Sequence, residues 1–254
     1  MKAAAQLTVD LGPQGRSVVR HLRSQAPMTL VPRRTAAASR DGAAVVHLVS
    51  SAATPLGGDE VELRVRVGPG ARLRLRGTAA TLALPGQHPA ASRATVRIEV
   101  ADDGLVEYLP EPTVVIARAQ HHAELDVRLG TRARVRCRDT LILGRHGEPS
   151  GALTTTTRVV REDVPLLQQQ LAVGSSQWES GPAYLAGSRV LATETVVWEH
   201  DPPAATSGPW WSLVPLPSGG ALASTLATDA VAAGHRLAAA LAHHPDANVF
   251  DTAW

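Results

Sequence analysis

The fold is decided by GGDEVELRVRVGPGARLRLRG, residues 57–77, in which two alternating runs flank a Gly-Pro-Gly turn. Aliphatic residues alternate with charged residues on both sides of the turn, so each run has one apolar face and one face carrying arginine or glutamate. Gly-Pro-Gly reverses the chain because proline fixes φ and glycine accepts positive φ. The stretch therefore predicts a two-stranded antiparallel unit with one buried face.

Short alternating or β-branched runs recur through the chain at a spacing of roughly ten residues. Turn residues separate them, among them Asp102-Asp103-Gly104, which predicts a second hairpin. Residues 166–173 fit either a strand or a helix, and residues 181–198 predict two strands around Gly187. Because no strict repeat is visible, a propeller is disfavoured. We expect a mainly β fold, an elongated body of stacked sheets similar to a β-helix, with one C-terminal helix.

The C-terminal part has a different character. Residues 221–244 read ALASTLATDAVAAGHRLAAALAHH, place leucines near one helical stripe, and precede Pro245, which predicts a helix. A link rich in proline and tryptophan, residues 201–217, comes before it. We expect a single domain over residues 1–254, with the β body in about the first 200 residues.

Composition excludes several functional classes. The 25 basic residues nearly balance the 23 acidic ones, and arginines spread along alternating strands are typical of a solvated face, so nucleic acid is not expected as a partner. Cys137 is the one cysteine and shares the parity of Val135, which predicts a buried, inert thiol. No segment has the length and hydropathy of a membrane span or a secretory leader, so we expect no membrane contact and a cytoplasmic location.

The sequence contains none of the common catalytic motifs, whether GxSxG, HExxH, a phosphate loop or GxGxxG after a strand. His121 and His122 are adjacent, and on a strand they would face opposite sides, so the pair offers one ligand to each face. Carboxylates at strand ends could hold a metal ion in passing or be ordinary exposed turn residues. These carboxylates are Asp59, Glu107, Glu111 and Glu148.

Three longer motifs occur in a specific order: PLGGDEVELRVRVGPGARLRLRGTAATLALPG (residues 55–86), LVEYLPEPTVVIARAQHH (105–122) and LILGRHGEPSG (141–151). In this order the chain resembles the UreD family of urease accessory proteins, called UreH in some bacteria, over about residues 28–174. The resemblance implies an elongated, β-helix-like body that is not an enzyme. It also implies binding to UreF, through UreF to the GTPase UreG, and to apo-urease.

The resemblance further implies that nickel passes through an internal polar tunnel, with no tightly bound cofactor. It places Asp59 (in GGD), Glu111 (in YLPEP) and Glu148 (after GR) on the nickel path. The other positions that it carries over are the hydroxyl residues Thr78 and Thr81 and the shape residues Gly57, Gly58, Pro110 and Gly144.

Two other functions compete with this reading. A carbohydrate-acting β-helix enzyme would use clustered carboxylates and would place aromatic residues near Asp59 or Glu148, but the chain has only 3% aromatic residues. A nickel-storing protein would use His121, His122 and His146.

Overall fold

The computed structural model of the 254-residue chain describes residues 1–33, 41–87, 89–174, 181 and 184–250. Helix α1 spans Ala230–Leu241, and a short 3-10 helix follows at Ala247–Val249. The strands are β1 Lys2–Leu11, β2 Ser17–Arg23, β3 Met28–Arg33, β4 Ala44–Ser50, β5 Glu60–Val67, β6 Arg72–Gly77, β7 Thr81–Ala83, β8 Ser92–Val100, β9 Leu105–Leu109, β10 Thr113–Val115, β11 Gln120–Leu129, β12 Arg134–Leu143, β13 Ala152–Arg161, β14 Val164–Val173, β15 Val190–Val197, β16 Thr206–Gly208, β17 Trp211–Pro215 and β18 Ala221–Ala227.

The strands form two facing sheets. Sheet A has the order β14-β13-β11-β8-β5-β1-β2, and sheet B has the order β16-β17-β18-β15-β12-β9-β6-β4-β3, with β10 beside β12 and β7 beside β10. The central neighbours in both sheets are parallel, because from β4 to β13 the chain passes repeatedly from one sheet to the other. The result is a β-solenoid of about four turns with a C-terminal helix, which confirms the predicted fold class.

The antiparallel pairing predicted within residues 57–77 is wrong. Strands β5 and β6 lie in different sheets, and each pairs in parallel with strands of neighbouring turns. Gly68-Pro69-Gly70 does reverse the chain, but it carries the chain across the core from sheet A to sheet B. A hairpin and such an arch both bury one face of each strand, so alternation identifies the buried face but not the pairing partner.

The turn at Asp102-Asp103-Gly104 is corrected in the same way, because β8 belongs to sheet A and β9 to sheet B. Successive arches stack on one another through their backbones. Gly70 N donates to Asp102 O at 3.0 Å, and Asp103 N donates to Thr131 O at 2.9 Å. Stacking in parallel thus satisfies backbone groups that an isolated arch would leave without partners.

The space between the sheets next to the arches is an apolar core. Leu63, Val65, Leu73 and Leu75 each retain 2% or less of their accessible surface. Each such side chain stabilises the fold by roughly 1.5–3 kcal/mol through burial. Cys137 lies in the same core, as predicted, and burial raises the pKa of its thiol.

The predicted helix over residues 221–244 begins too early. Residues Ala221–Ala227 are strand β18, and α1 starts after Asp229, whose side chain accepts a hydrogen bond from Ala232 N at 2.8 Å. Small residues in this region fit the residue period of a helix and also that of a strand. The alanines that suggest a helical stripe are therefore also buried alternately on the strand. The helix packs on the outer face of sheet B through Ala233, Leu237 and Leu241.

Other C-terminal details also differ from expectation. The link over residues 201–217 contains strands β16 and β17. The ambiguous segment 166–173 is part of strand β14, and the described part of residues 181–198 contains β15 only. Residues 182 and 183 in that range lie outside the described residues. The single-domain assignment stays a prediction.

Candidate functional site

Sheet B is interrupted on one side of the solenoid. Residues 78–80 separate β6 from β7, and residues 110–112 separate β9 from β10, whereas β12 runs past both breaks. Pro110 and Pro112 contribute to the break because proline cannot donate to a sheet ladder. The solenoid is therefore open where the YLPEP motif ends.

An inner cavity of about 190 Å³ lies at this break. Its sheet A wall includes two rows of residues in register across β5, β8, β11 and β13. These rows are Val61, Ala94, Ala123 and Thr155, and Leu63, Val96, Leu125 and Thr157. Each row is apolar on its first three strands and becomes threonine on β13. These two rows thus turn polar along the solenoid axis.

An outer cavity of about 440 Å³ begins where the wall becomes polar. Asp139, Thr155 and Thr157 line both cavities, so the two spaces adjoin at these residues. From Asp139, the register continues across sheet B through Thr193, Ser224 and Ser212, all of which line the outer cavity. A row of hydroxyl groups therefore runs from the half-buried carboxylate of Asp139 toward the side of the molecule where Trp210 is 50% exposed.

Asp139 is the charged group at the junction of the cavities. Burial raises the pKa of its carboxyl group to about 6. Sequence reasoning missed this residue, although its position two residues after Cys137 on the inward parity of β12 was a usable signal.

His121 also lines the inner cavity and is 3% exposed. Its Nδ1 lies 2.8 Å from Ser92 Oγ, and burial lowers its pKa to about 4. His122 lies on the opposite face of β11, which confirms that the pair faces both sides of the strand.

A buried network of charges occupies the other face of sheet B, under the C-terminal segment. Arg136 Nη1 lies 2.9 Å from Glu107 Oε1, and Arg136 Nη2 lies 2.6 Å from Glu194 Oε1. Arg138 Nε donates to Glu194 at 2.9 Å, and Arg74 Nε donates to Glu107 at 2.8 Å. Arginines expected on a solvated face are thus enclosed here. The sequence offered no signal for this, because the elements that cover sheet B come later in the chain.

Comparisons with known proteins identify the chain. A family model described as UreD urease accessory protein matches residues 2–245. The chain is 60% identical over 247 residues to Urease accessory protein UreD 1 of Saccharopolyspora erythraea, and the match covers 97% of both chains. It is 40% identical to Urease accessory protein UreD of Frankia alni, covering 94% of this chain and 92% of that one.

The chain belongs to the UreD urease accessory protein family. This confirms the resemblance seen in the three sequence motifs. UreD proteins are non-catalytic chaperones of nickel-dependent urease maturation, so the alternative of a carbohydrate-acting enzyme does not hold. Across the described residues, no helix has both the length and the apolar character needed to cross a bilayer.

Of the UreD motif residues, Glu111, Thr81 and Pro110 line the inner cavity. Glu111 stands at the break between β9 and β10 and is exposed. Thr78 is exposed next to the cavity lining, and its hydroxyl lies 3.5 Å from Leu48 O. The structure therefore brings the second motif and the end of the first motif together at one opening.

Asp59 has a different environment. Its carboxylate pairs with the Met1 ammonium group at 2.7 Å and accepts a hydrogen bond from Leu56 N at 2.8 Å. Asp59 thus holds the loop whose residues Thr54 and Pro55 line the inner cavity. Gly57 fits the expected shape role, because a Cβ there would lie 2.6 Å from Ala90 O; Gly58 is the next residue in this loop.

Glu148 lies in the turn of the third motif. It pairs with Arg145 at 2.8 Å, and this hydrogen bond lowers the pKa of its carboxyl group. Gly144 has φ +73°, and a Cβ there would lie 2.5 Å from Glu148 O, which supports its assignment as a shape residue. Arg189, which sequence reasoning missed, holds the turn by donating to Leu143 O at 2.6 Å and Glu148 O at 2.7 Å.

In the part of the chain that the structure describes, the histidines other than His121 do not line either cavity. His146 is exposed in the Glu148 turn. Among the described residues, a group of three candidate ligands with donor atoms within 4.8 Å of one another occurs at Glu199, His200 and Asp246. His200 Nδ1 already bonds Asp246 at 2.8 Å, and Glu199 already pairs with Arg134.

Proposed function

We propose that this chain joins UreF, and through UreF the GTPase UreG, to apo-urease in the cytoplasm, and that nickel passes through its interior toward the urease active site. The family membership supports a role in urease maturation, and the interior of the solenoid supports the path. Nickel is the cargo in this proposal, and no ion resides in the chain.

The observation that carries the nickel path is the junction of the two cavities at Asp139, Thr155 and Thr157. Carboxylate and hydroxyl oxygens can replace part of the water shell of a divalent ion. A row of single oxygens, none of which completes a ligand cage, would let an ion move from one to the next. Such a wall conducts an ion better than it stores one.

The motif carboxylates take different roles in this proposal. Glu111 is the metal contact at the opening in sheet B, with Thr81 beside it and Thr78 at the rim. Asp59 shapes the wall of the inner cavity, since its carboxylate is engaged with Met1 and Leu56. Glu148 would reach a metal ion only after its pair with Arg145 opens.

The path is tested by blocking it without changing charge. Ala79 lines the inner cavity, so Ala79→Trp should obstruct the opening. The neighbouring Ala80 is also exposed but is not part of the lining, so Ala80→Trp is the matched control. Each variant is co-expressed with UreF, UreG and apo-urease, and urease activity is measured at limiting nickel.

We expect Ala79→Trp to retain UreF in a pull-down and to lose most of the activation, while Ala80→Trp activates normally. Full activation by Ala79→Trp would reject the internal path and leave the scaffold role standing. Failure of the unaltered chain to capture UreF would reject the scaffold role itself.

A further inference from the structure

His121 ends a row of buried polar residues that starts at Asp59. Glu60 on β5 is in register with Arg93 on β8, so Asp59, directly before β5, lies beside Ser92. Ser92 is in turn in register with His121 on β11. Asp59 is 5% exposed, Ser92 is fully buried and His121 is 3% exposed. These polar groups lie on inward parity, where other turns of the solenoid carry aliphatic side chains.

The hydrogen bonds of His121 define which ring nitrogen faces the cavity. Nδ1 is engaged with Ser92 Oγ at 2.8 Å, and Ser92 Oγ also lies 3.3 Å from Gln120 O. Among the described residues, Nε2 has no hydrogen-bond partner. It is also not one of the polar atoms that are completely shielded from solvent without a partner. Nε2 is therefore the atom that His121 offers to the inner cavity.

One arrangement of protons satisfies the whole row. If Nδ1–H donates to Ser92 Oγ, the Ser92 hydroxyl can donate to Gln120 O, and Nε2 keeps its lone pair. Metal-binding histidines commonly have this arrangement, in which a partner on one ring nitrogen orients the other. Burial keeps the ring neutral near pH 7, because it lowers the pKa of His121 to about 4.

The remaining polar groups that could contact an ion in the inner cavity are oxygens, such as those of Glu111, Asp139 and Thr155. Oxygen ligands suit Mg²⁺ and Ca²⁺ well, whereas an imidazole nitrogen favours Ni²⁺ over these harder ions. A cavity lined by oxygen alone would admit the more abundant hard ions. Nε2 of His121 would supply the nitrogen ligand that favours Ni²⁺ over these harder ions.

We propose that His121 Nε2 is a nitrogen ligand that makes the inner cavity select Ni²⁺ over Mg²⁺ during transit. This inference rests on the proposed nickel path and adds its ion selectivity. One imidazole with scattered oxygens leaves water on the ion, which agrees with passage rather than storage.

The test compares His121→Gln with His122→Gln, because the two histidines are adjacent on β11 but face opposite sides of sheet A. Each full chain is co-expressed with UreF, UreG and apo-urease, and the Ni²⁺ concentration for half activation is measured with and without millimolar Mg²⁺. We expect His121→Gln to raise this concentration roughly ten-fold when Mg²⁺ is present and much less when it is absent. His122→Gln should match the unaltered chain under both conditions. An equal response of both variants would overturn the inference.

A second measurement does not depend on the folding of a variant. Histidine-labelled full-length chain is titrated with Ni²⁺ alone, and the paramagnetic broadening of each imidazole signal is followed by NMR. Selective broadening of His121 at the lowest Ni²⁺ concentrations supports the inference, and broadening of exposed histidines with His121 unaffected rejects it. Ala79→Trp separates the two proposals: if it blocks activation while His121→Gln leaves the Mg²⁺ dependence unchanged, the path stands and the selectivity does not.

Discussion

Polar residues on the two faces of sheet B differ in how their charges are balanced. On the outer face, Arg74, Arg136 and Arg138 alternate with Glu107 and Glu194 at ion-pair distances of 2.6–2.9 Å. On the inner face, Asp139 lines the junction of two cavities, and burial raises its pKa.

The difference indicates that the paired charges on the outer face stabilise the fold, whereas Asp139 on the inner face could contact a passing ion. A charge enclosed by partners of opposite sign has no capacity left for a passing ion, and it holds the strands and the C-terminal segment together. A carboxylate with uncompensated burial is a cost to the fold, and an incoming cation would relieve that cost. The comparison therefore supports the inner face as the place of the nickel path that we propose.

The largest expected effect comes from Arg136→Met. This change leaves Glu107 and Glu194 buried without their shared cation and should lower the free energy of unfolding by about 3–5 kcal/mol. Urea denaturation measures the loss. Arg97→Met is the control, since Arg97 is exposed and pairs with Glu62 at the surface. A loss for Arg136→Met no larger than for the control would contradict the structural role of the network.

Asp139→Asn should act in the opposite direction. The folded state raises the pKa of Asp139 from 3.8 to about 6 and so favours the neutral carboxyl group. That contribution is complete below about pH 4 and is lost as the pH rises through 6. Asparagine should therefore stabilise the fold by about 2–3 kcal/mol at pH 7.5 and by little at pH 4. Denaturation at both pH values checks the sign. A loss of stability at pH 7.5 would show that Asp139 is paired like Glu107.

Asp59→Asn should have an intermediate effect, because Asp59 belongs with the paired charges. The amide oxygen can still accept from Leu56 N, but the Met1 ammonium group loses its counter-charge. We expect a loss of about 1–2 kcal/mol in the free energy of unfolding. Urease activation should fall only in proportion to the folded fraction, which is checked at two temperatures. Lost activation at a temperature where the variant is fully folded would move Asp59 to the nickel path.

Glu148→Gln should have the smallest effect. Its partner Arg145 is mostly exposed, and exposed ion pairs contribute little. The midpoint of thermal unfolding should remain within error of the unaltered chain, and activation should remain normal. Reduced activation with an unchanged midpoint would instead support a direct role in nickel transfer.

The sequence predicted the strands and their buried faces well, because alternation depends on each segment alone. In residues 63–67 and 73–75 the apolar positions are those that the structure buries. Pairing depends on partners far along the chain. Gly68-Pro69-Gly70 reverses the chain in a hairpin and in an arch alike, so the antiparallel reading could not be distinguished locally. Alanine caused the error at residues 221–227, since it suits both structural periods.

The site was predicted less completely than the fold. Glu111, Thr81 and Pro110 could be placed at the opening because they belong to recognisable motifs. Asp139 had its parity with Cys137 as a signal, but the hydroxyls of Thr193, Ser224 and Ser212 had none, because they meet Asp139 only through cross-strand register. Residues 132–138 show the same limit of sequence-based prediction. Arginine alternates with apolar residues throughout this range, yet Arg132 is exposed and Arg136 lies in the buried network.

The parallel register also has a consequence for the order of events during synthesis. Successive coils bring Glu60, Arg93, His122 and Thr154 side by side, so each new coil needs only the coil made just before it. The growing chain can therefore add turns in the order in which the ribosome releases them. Strand β15, β18 and helix α1 come last, and with them Glu194 and the cover over Arg136. Until β15 is in place, Arg136 and Arg138 lack Glu194 as a partner, so we expect the arginine network to be completed after the central coils have stacked.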